Sequence, residues 1–161
     1  DVCSSDLRTA RESVLLRALN QISQNYDFIL IDCPPQLSIL TINAIVASDL
    51  VIIPCKTDYL SYRGLENLTS TIKDLKELVN EKVQILGVIA TLYEVSVKDS
   101  NEILSLLKNK YNVLGVIRKT IEAVKGIYDG IPVVLRRPDS DISKEYEKIA
   151  NKILATTKEE L

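Results

Sequence analysis

The stretch Tyr26-Asp27-Phe28-Ile29-Leu30-Ile31-Asp32-Cys33-Pro34-Pro35 decides the fold. Residues 28–31 are a continuous apolar run of strand length, which suits a parallel strand covered on both faces better than an amphipathic edge. Asp32 then stands at the carboxyl end of a buried strand, where open α/β sheets place their ligands. Pro34 fixes its own φ and disfavours helix at Cys33, and Pro35 does the same to Pro34, so the chain must leave the sheet as an extended loop. A carboxylate held there suits a magnesium ion or its water shell, because Mg²⁺ takes oxygen ligands and keeps several waters. Asp32 also reads as a helix cap or as a plain strand end, and the ten residues alone leave both readings open.

Outward from this stretch, the alternation of strand and helix signals continues. Val14, Leu15, Ala18, Leu19 and Ile22 recur at helical spacing before it, so residues 11–23 are expected to be helical. After it come a helix over residues 38–47, a short buried strand over 50–54, and a long one-faced helix over 61–80 carrying Leu65, Leu68, Ile72, Leu75 and Val79. A strand over 83–92, a helix over 100–110, a strand over 113–117 and a helix over 121–128 follow. A last short strand is expected at Val133-Val134-Leu135, and a C-terminal helix over 141–156, capped by Asp141 or Ser143. Strands alternating with helices predict an α/β domain with a mostly parallel sheet covered on both sides.

The bulk composition narrows the function classes. The 161 residues are enough for one domain with a real core, and 46% hydrophobic with 26% charged residues is ordinary for a globular chain. A net charge of −2 argues against a strongly basic nucleic-acid binder, although a local basic patch is compatible with it. No apolar run approaches the roughly 20 residues needed to span a bilayer. Three cysteines (Cys3, Cys33 and Cys55), no CxxC spacing and no histidine make a disulfide framework, a zinc site and histidine-based catalysis poor readings, and favour a reducing cytoplasm. Methionine is absent altogether. Residues 1–7 (DVCSSDL) match the translation of a common sequencing-library adapter, so this segment is set aside as non-native and authentic protein is expected to run from residue 8, in mid-gene.

The stretch YDFILIDCPPQLSILTINAIVASDLVIIPCKTDYLSYRGLENL resembles the Walker B and switch II region of the ParA/Soj partition ATPases, a branch of the P-loop NTPase superfamily that includes MinD. The segments GVIAT (residues 87–91), Ile117-Arg118-Lys119, and Tyr128-Asp129-Gly130-Ile131-Pro132-Val133 continue the resemblance in the family's order. It implies a doubly wound P-loop NTPase sheet, ATP and Mg²⁺ as cofactors, and ATP hydrolysis. By the resemblance, Asp32 holds magnesium through a bound water, Pro34 and Pro35 form the switch II turn that answers to the γ-phosphate, and Asp58, Tyr59, Arg118, Lys119 and Thr120 lie near the nucleotide base and the dimer interface.

The departures from the family are as informative. Its Lys-Gly-Gly-x-x-Lys-Thr phosphate loop would precede residue 8, and the five glycines present (Gly64, Gly87, Gly115, Gly126, Gly130) are scattered. Residues 8–161 are therefore expected to be the C-terminal portion of one ParA-like domain, without the phosphate-loop strand and helix and inactive alone. The sheet should then show a gap, or a non-native pairing, between strands 28–31 and 50–53, with apolar surface exposed. Where the family commonly places DNA-contacting arginines, this chain has Ser96 and Glu122. Lys98, with Arg118 and Lys119 nearby, and the pair Arg136 and Arg137 are the remaining DNA candidates, each also readable as an ordinary solvated charge.

For the intact protein the resemblance implies an ATP-bridged homodimer, non-specific DNA binding, a ParB-like centromere-binding partner, and partition of plasmids or chromosomes in a nucleoid-associated bacterial cytoplasm. Two other readings stand beside it. One is a catalytically inactive pseudo-ATPase serving as an interaction module. The other is a MinD-like membrane-positioning ATPase, disfavoured because the tail IANKILATTKEEL ends short and acidic, so no membrane partner is expected.

Overall fold

The nearly continuous apolar run within residues 84–93 produces the central strand of the sheet. A computed structural model of the chain describes residues 11–34 and 36–159. Its sheet has three strands in the order β1-β2-β3, formed by β1 (Leu50–Lys56), β2 (Gln84–Tyr93) and β3 (Val113–Arg118). β2 and β3 run parallel, with Val88 opposite Val113, Ala90 opposite Val116 and Tyr93 opposite Arg118. The register slips between Ala90 and Tyr93, where Leu92 adopts a left-handed φ of 52°. Pro54 lies within β1, on the outermost strand of the described sheet, where the missing N–H costs no ladder bond on the outer side. The helices are α1 (Val14–Leu19), α2 (Ile39–Val46), α3 (Tyr59–Leu78), α4 (Lys98–Lys110), α5 (Ile121–Asp129), α6 (Val133–Arg136) and α7 (Asp141–Glu159).

The chain divides into two compact units. One holds the described residues up to Val51 with Asn67–Ile85; the other holds Ile52–Glu66 and Leu86 onward. In the first, α2 is anchored by polar side chains. Ser38 caps its N-terminus, its Oγ accepting from the Thr41 N–H at 3.5 Å. The buried Asn43 side chain donates from Nδ2 to the Arg11 and Ile39 carbonyls at 2.7 and 2.8 Å, and accepts from the Leu15 N–H at 3.2 Å. Asn80 likewise donates to the Val46 and Ser48 carbonyls at 2.9 and 3.2 Å. Replacing Asn43 by alanine removes the part-buried bonds to the Arg11 carbonyl and the Leu15 N–H, and should lower unfolding stability by about 1–2 kcal/mol. A urea titration of the purified chain reads this directly.

Two expectations fail in the first unit. The helix expected over residues 11–23 is a 3₁₀ turn (Arg11–Ser13) leading into the six-residue α1, and a second 3₁₀ turn (Ser23–Asn25) follows. Gln21 and Asn25 close i→i+3 bonds to Ala18 and Ile22, tightening the chain before a full helix can form. The buried strand expected over residues 28–31 is extended but joins no ladder among the described residues, and it is not buried: Leu30 is 92% exposed, and Phe28 and Ile29 are exposed as well. A strand is held by a neighbour's N–H and C=O groups, and no described segment supplies them here.

In the second unit, Ile103, Leu104 and Leu107 give α4 one buried face, with Asp99 in its first turn and Lys108 and Lys110 in its last, matching the helix dipole. α7 packs on β3, and Ile149 fills the space a Cβ on Gly115 would need. The short strand expected at Val133-Val134-Leu135 is instead the helix α6. Pro132, with φ −54°, enters it, and its carbonyl accepts from the Leu135 and Arg136 N–H groups at 3.0 Å each. Ion pairs of Arg136 with Asp129 (2.8 Å) and Glu122 (3.1 Å) tie that turn to α5, outweighing the weak β preference of three residues.

A charge cluster links α3 to α4 in this unit. Glu66 pairs with Lys110 at 2.6 Å and Arg63 at 2.7 Å. The hydrogen bond from Lys110, then the charges of Lys110 and Arg63, hold the Glu66 carboxyl below its ordinary 4.5. A depressed folded pKa gives stability that is present above about pH 4.5 and lost as pH falls through the folded value. Both cations are exposed, so the effect is modest. The urea midpoint of the native protein should therefore fall more steeply below pH 4.5 than that of Glu66→Gln.

Candidate functional site

In the first unit the site rests on Asp32. It follows the unpaired extended run and is exposed, as are Cys33 and Pro34; Pro35 lies outside the described residues. Partial burial, and then the Asp32 charge, push the Cys33 thiol up, so it is a poor thiolate nucleophile. No group of three or more His, Cys, Asp or Glu side chains able to hold a metal forms among the described residues. One exposed carboxylate does suit magnesium, which keeps most of its waters and is often held through only one or two protein carboxylates. For phosphates the residues do not fit. Gly64 and Gly126 lie inside helices, Gly87 and Gly115 inside strands, and Gly130 (φ 64°) ends α5. None builds a phosphate-cradling turn.

The second unit gathers the carboxyl ends of the strands, where the sequence places Asp58, Tyr59, Arg118, Lys119 and Thr120. The Asp58 carboxylate accepts from the Ser61 N–H at 2.8 Å and the Ser61 hydroxyl at 3.1 Å, capping α3. Tyr59 is exposed beside it. Thr57 N–H donates to the Thr91 carbonyl and Lys119 N–H to the Tyr93 carbonyl, binding the loops after β1 and β3 to β2. Lys119 also pairs with Glu94 at 3.0 Å, and Thr120 Oγ1 accepts from the Ala123 N–H at the start of α5. Arg118 ends β3 and is exposed. Cys55, just inside the end of β1, is buried; burial, and then the charge of Asp58, push its thiol up to about 11.

Sequence reasoning missed the polar core of this edge. The buried hydroxyls of Thr57 and Ser100 lie 2.6 Å apart, and Ser100 Oγ also accepts from the Glu94 N–H at 3.2 Å. Forty-three positions separate the two side chains, and neither carries a motif, so no spacing could have paired them. Of the DNA candidates, Lys98 projects with 88% of its side chain exposed and a loose 3.6 Å pair to Glu102. Arg137 is exposed, 3.9 Å from Glu122. Arg136 differs: its guanidinium is committed to Glu122 and Asp129, which offset the charge a phosphate would need.

The AAA domain family matches residues 5–85, which include the Asp32 segment, and Soj and ParA proteins are 30–33% identical to the chain over 90–92% of its length. This chain belongs to the ParA/MinD-like P-loop ATPases. Among the relatives of this ParA-like chain is the sporulation initiation inhibitor protein Soj of Bacillus subtilis, 33% identical over 149 residues, covering 91% of the chain and 59% of Soj. Cobyrinic acid a,c-diamide synthase from Mycobacterium smegmatis, solved with bound ADP and magnesium, superposes with a TM-score of 0.72 at 30% identity, over 94% of this chain and 56% of that one. The apo McdA structure from Cyanthece has a TM-score of 0.79 at 23% identity, over 89% of this chain and 59% of that one, a likeness of fold. The ParA-like chain thus spans about three fifths of the length of the curated relatives it matches.

Proposed function

We propose that residues 8–161 are the C-terminal portion of a ParA-like ATPase that binds ATP with Mg²⁺, dimerises through the nucleotide, holds DNA non-specifically and partitions plasmids or chromosomes with a ParB-like centromere-binding partner. The observation that carries this reading is the Asp32-Cys33-Pro34-Pro35 element at the end of an extended apolar run, in a chain 33% identical to Soj across 91% of its length. When bound, magnesium would neutralise charge on the phosphates. Asp32 would hold its water shell, Pro34 and Pro35 would stiffen the loop beside it, and Tyr59, Arg118, Lys119 and Thr120 would border the base. Asp58 would act by fixing the start of α3. Lys98 and Arg137 are the side chains best placed to meet DNA phosphates, while Arg136 stays paired within the protein.

A second reading is a catalytically inactive interaction module that works without a phosphate loop. The upstream codons separate the two. A Lys-Gly-Gly-x-x-Lys-Thr loop encoded in frame before residue 8 supports the ATPase; a start codon shortly before residue 8, with no such loop, supports the module.

A further inference from the structure

The geometry points to Ser100 as a positioning residue whose hydroxyl, paired with Thr57, sets the strand-end loops for nucleotide binding. This rests on the ATP-binding reading above. Three observations carry it. First, the Thr57 and Ser100 hydroxyls are 2.6 Å apart and both residues are buried, at 6% and 4% exposure, where an unmade hydrogen bond is costly. Second, Ser100 Oγ also accepts the Glu94 N–H, so one oxygen on α4 touches the loops after both β1 and β2. Third, the connection continues to the loop after β3: the Glu94 carboxylate meets Lys119 Nζ at 3.0 Å, and the Lys119 N–H meets the Tyr93 carbonyl at 3.1 Å.

Thr57 directly precedes Asp58, whose carboxylate caps α3, and Tyr59, the first residue of that helix. Removing the Ser100 hydroxyl leaves the buried Thr57 hydroxyl without this partner, and removing the Thr57 hydroxyl leaves Ser100 with the Glu94 N–H; either change loosens the Thr57 side chain, which directly precedes Asp58 and Tyr59. Neither hydroxyl is proposed to touch a ligand. Their loss should therefore weaken nucleotide affinity and leave the rate at saturating nucleotide nearly unchanged.

The experiment uses the gene product read from its own start codon. Mg·ATP affinity, turnover at saturating ATP and thermal midpoint are measured for the native protein, Ser100→Ala, Thr57→Val and Thr57→Ser. Ser100→Ala and Thr57→Val should each weaken ATP binding by about three- to tenfold, with turnover within about twofold of native, while Thr57→Ser, which keeps the hydroxyl, should bind ATP like the native protein. If Ser100→Ala does not fold, the Thr57 pair decides alone. Unchanged affinity in Thr57→Val, or turnover that falls while affinity holds, overturns the positioning role. A native protein that binds no Mg·ATP overturns the nucleotide reading, and the positioning role with it.

Discussion

Changing Asp32 to asparagine is expected to lower magnesium-dependent ATP hydrolysis by about 10- to 100-fold in the gene product read from its own start codon. The magnitude is that of removing a group that acts on a metal through its outer shell. Asparagine keeps the size of the side chain and one carbonyl oxygen but removes the negative charge that favours a hydrated dication. In residues 1–161 Asp32 is exposed and follows a run that joins no ladder among the described residues, so in this chain the near-isosteric substitution should change stability by no more than about 0.5 kcal/mol. Hydrolysis measured across a magnesium titration separates two origins of the loss. A shift in the magnesium midpoint that high magnesium partly rescues marks a metal role. A loss that magnesium leaves untouched assigns Asp32 to something else.

Gly87→Ala should be the most destabilising of the small substitutions, by about 2–3 kcal/mol. A Cβ at this position on β2 would fall 2.5 Å from the Asn112 carbonyl oxygen and 2.8 Å from Leu114 Cγ. The first of these is backbone, itself held by the Val88 N–H at 2.8 Å, so it cannot swing aside as a side-chain end would. Gly115 makes the useful contrast. The nearest atoms to a Cβ there belong to the buried, β-branched Ile149 side chain, so α7 has to shift rather than a carbonyl held by a strand, and Gly115→Ala should cost less. Chemical denaturation of the two variants against the native chain tests the order, and equal costs would show that β3 and α7 yield no more easily than the β2 backbone.

Much of the second unit was legible from side-chain periodicity. Val88, Ala90, Ile103, Leu104 and Leu107 are buried at spacings that declare a strand and a helix, and β2, α4 and β3 fall where that spacing puts them. Periodicity failed where a segment's state depends on a neighbour. Residues 28–31 carry a strand's composition, but a strand needs a partner to bond, and Val133-Val134-Leu135 became helical because Pro132 and the Arg136 ion pairs fixed a turn there. The site divides in the same way. Asp32 stands out as a candidate because prolines and an apolar run surround it in the sequence. The Thr57 and Ser100 contact was not, because it joins two segments 43 positions apart through hydroxyls that only folding brings together.

The most direct test of the account compares magnesium-dependent ATP hydrolysis by residues 1–161 alone with that of the gene product read from its own start codon. Asp32 is present in both, so on the proposal that a phosphate loop is encoded before residue 8 the comparison isolates the phosphate-binding half of the site. The account predicts hydrolysis by the gene product and none above background by the shorter chain. Hydrolysis by residues 1–161 at the gene product's rate, or no hydrolysis by either, would contradict it.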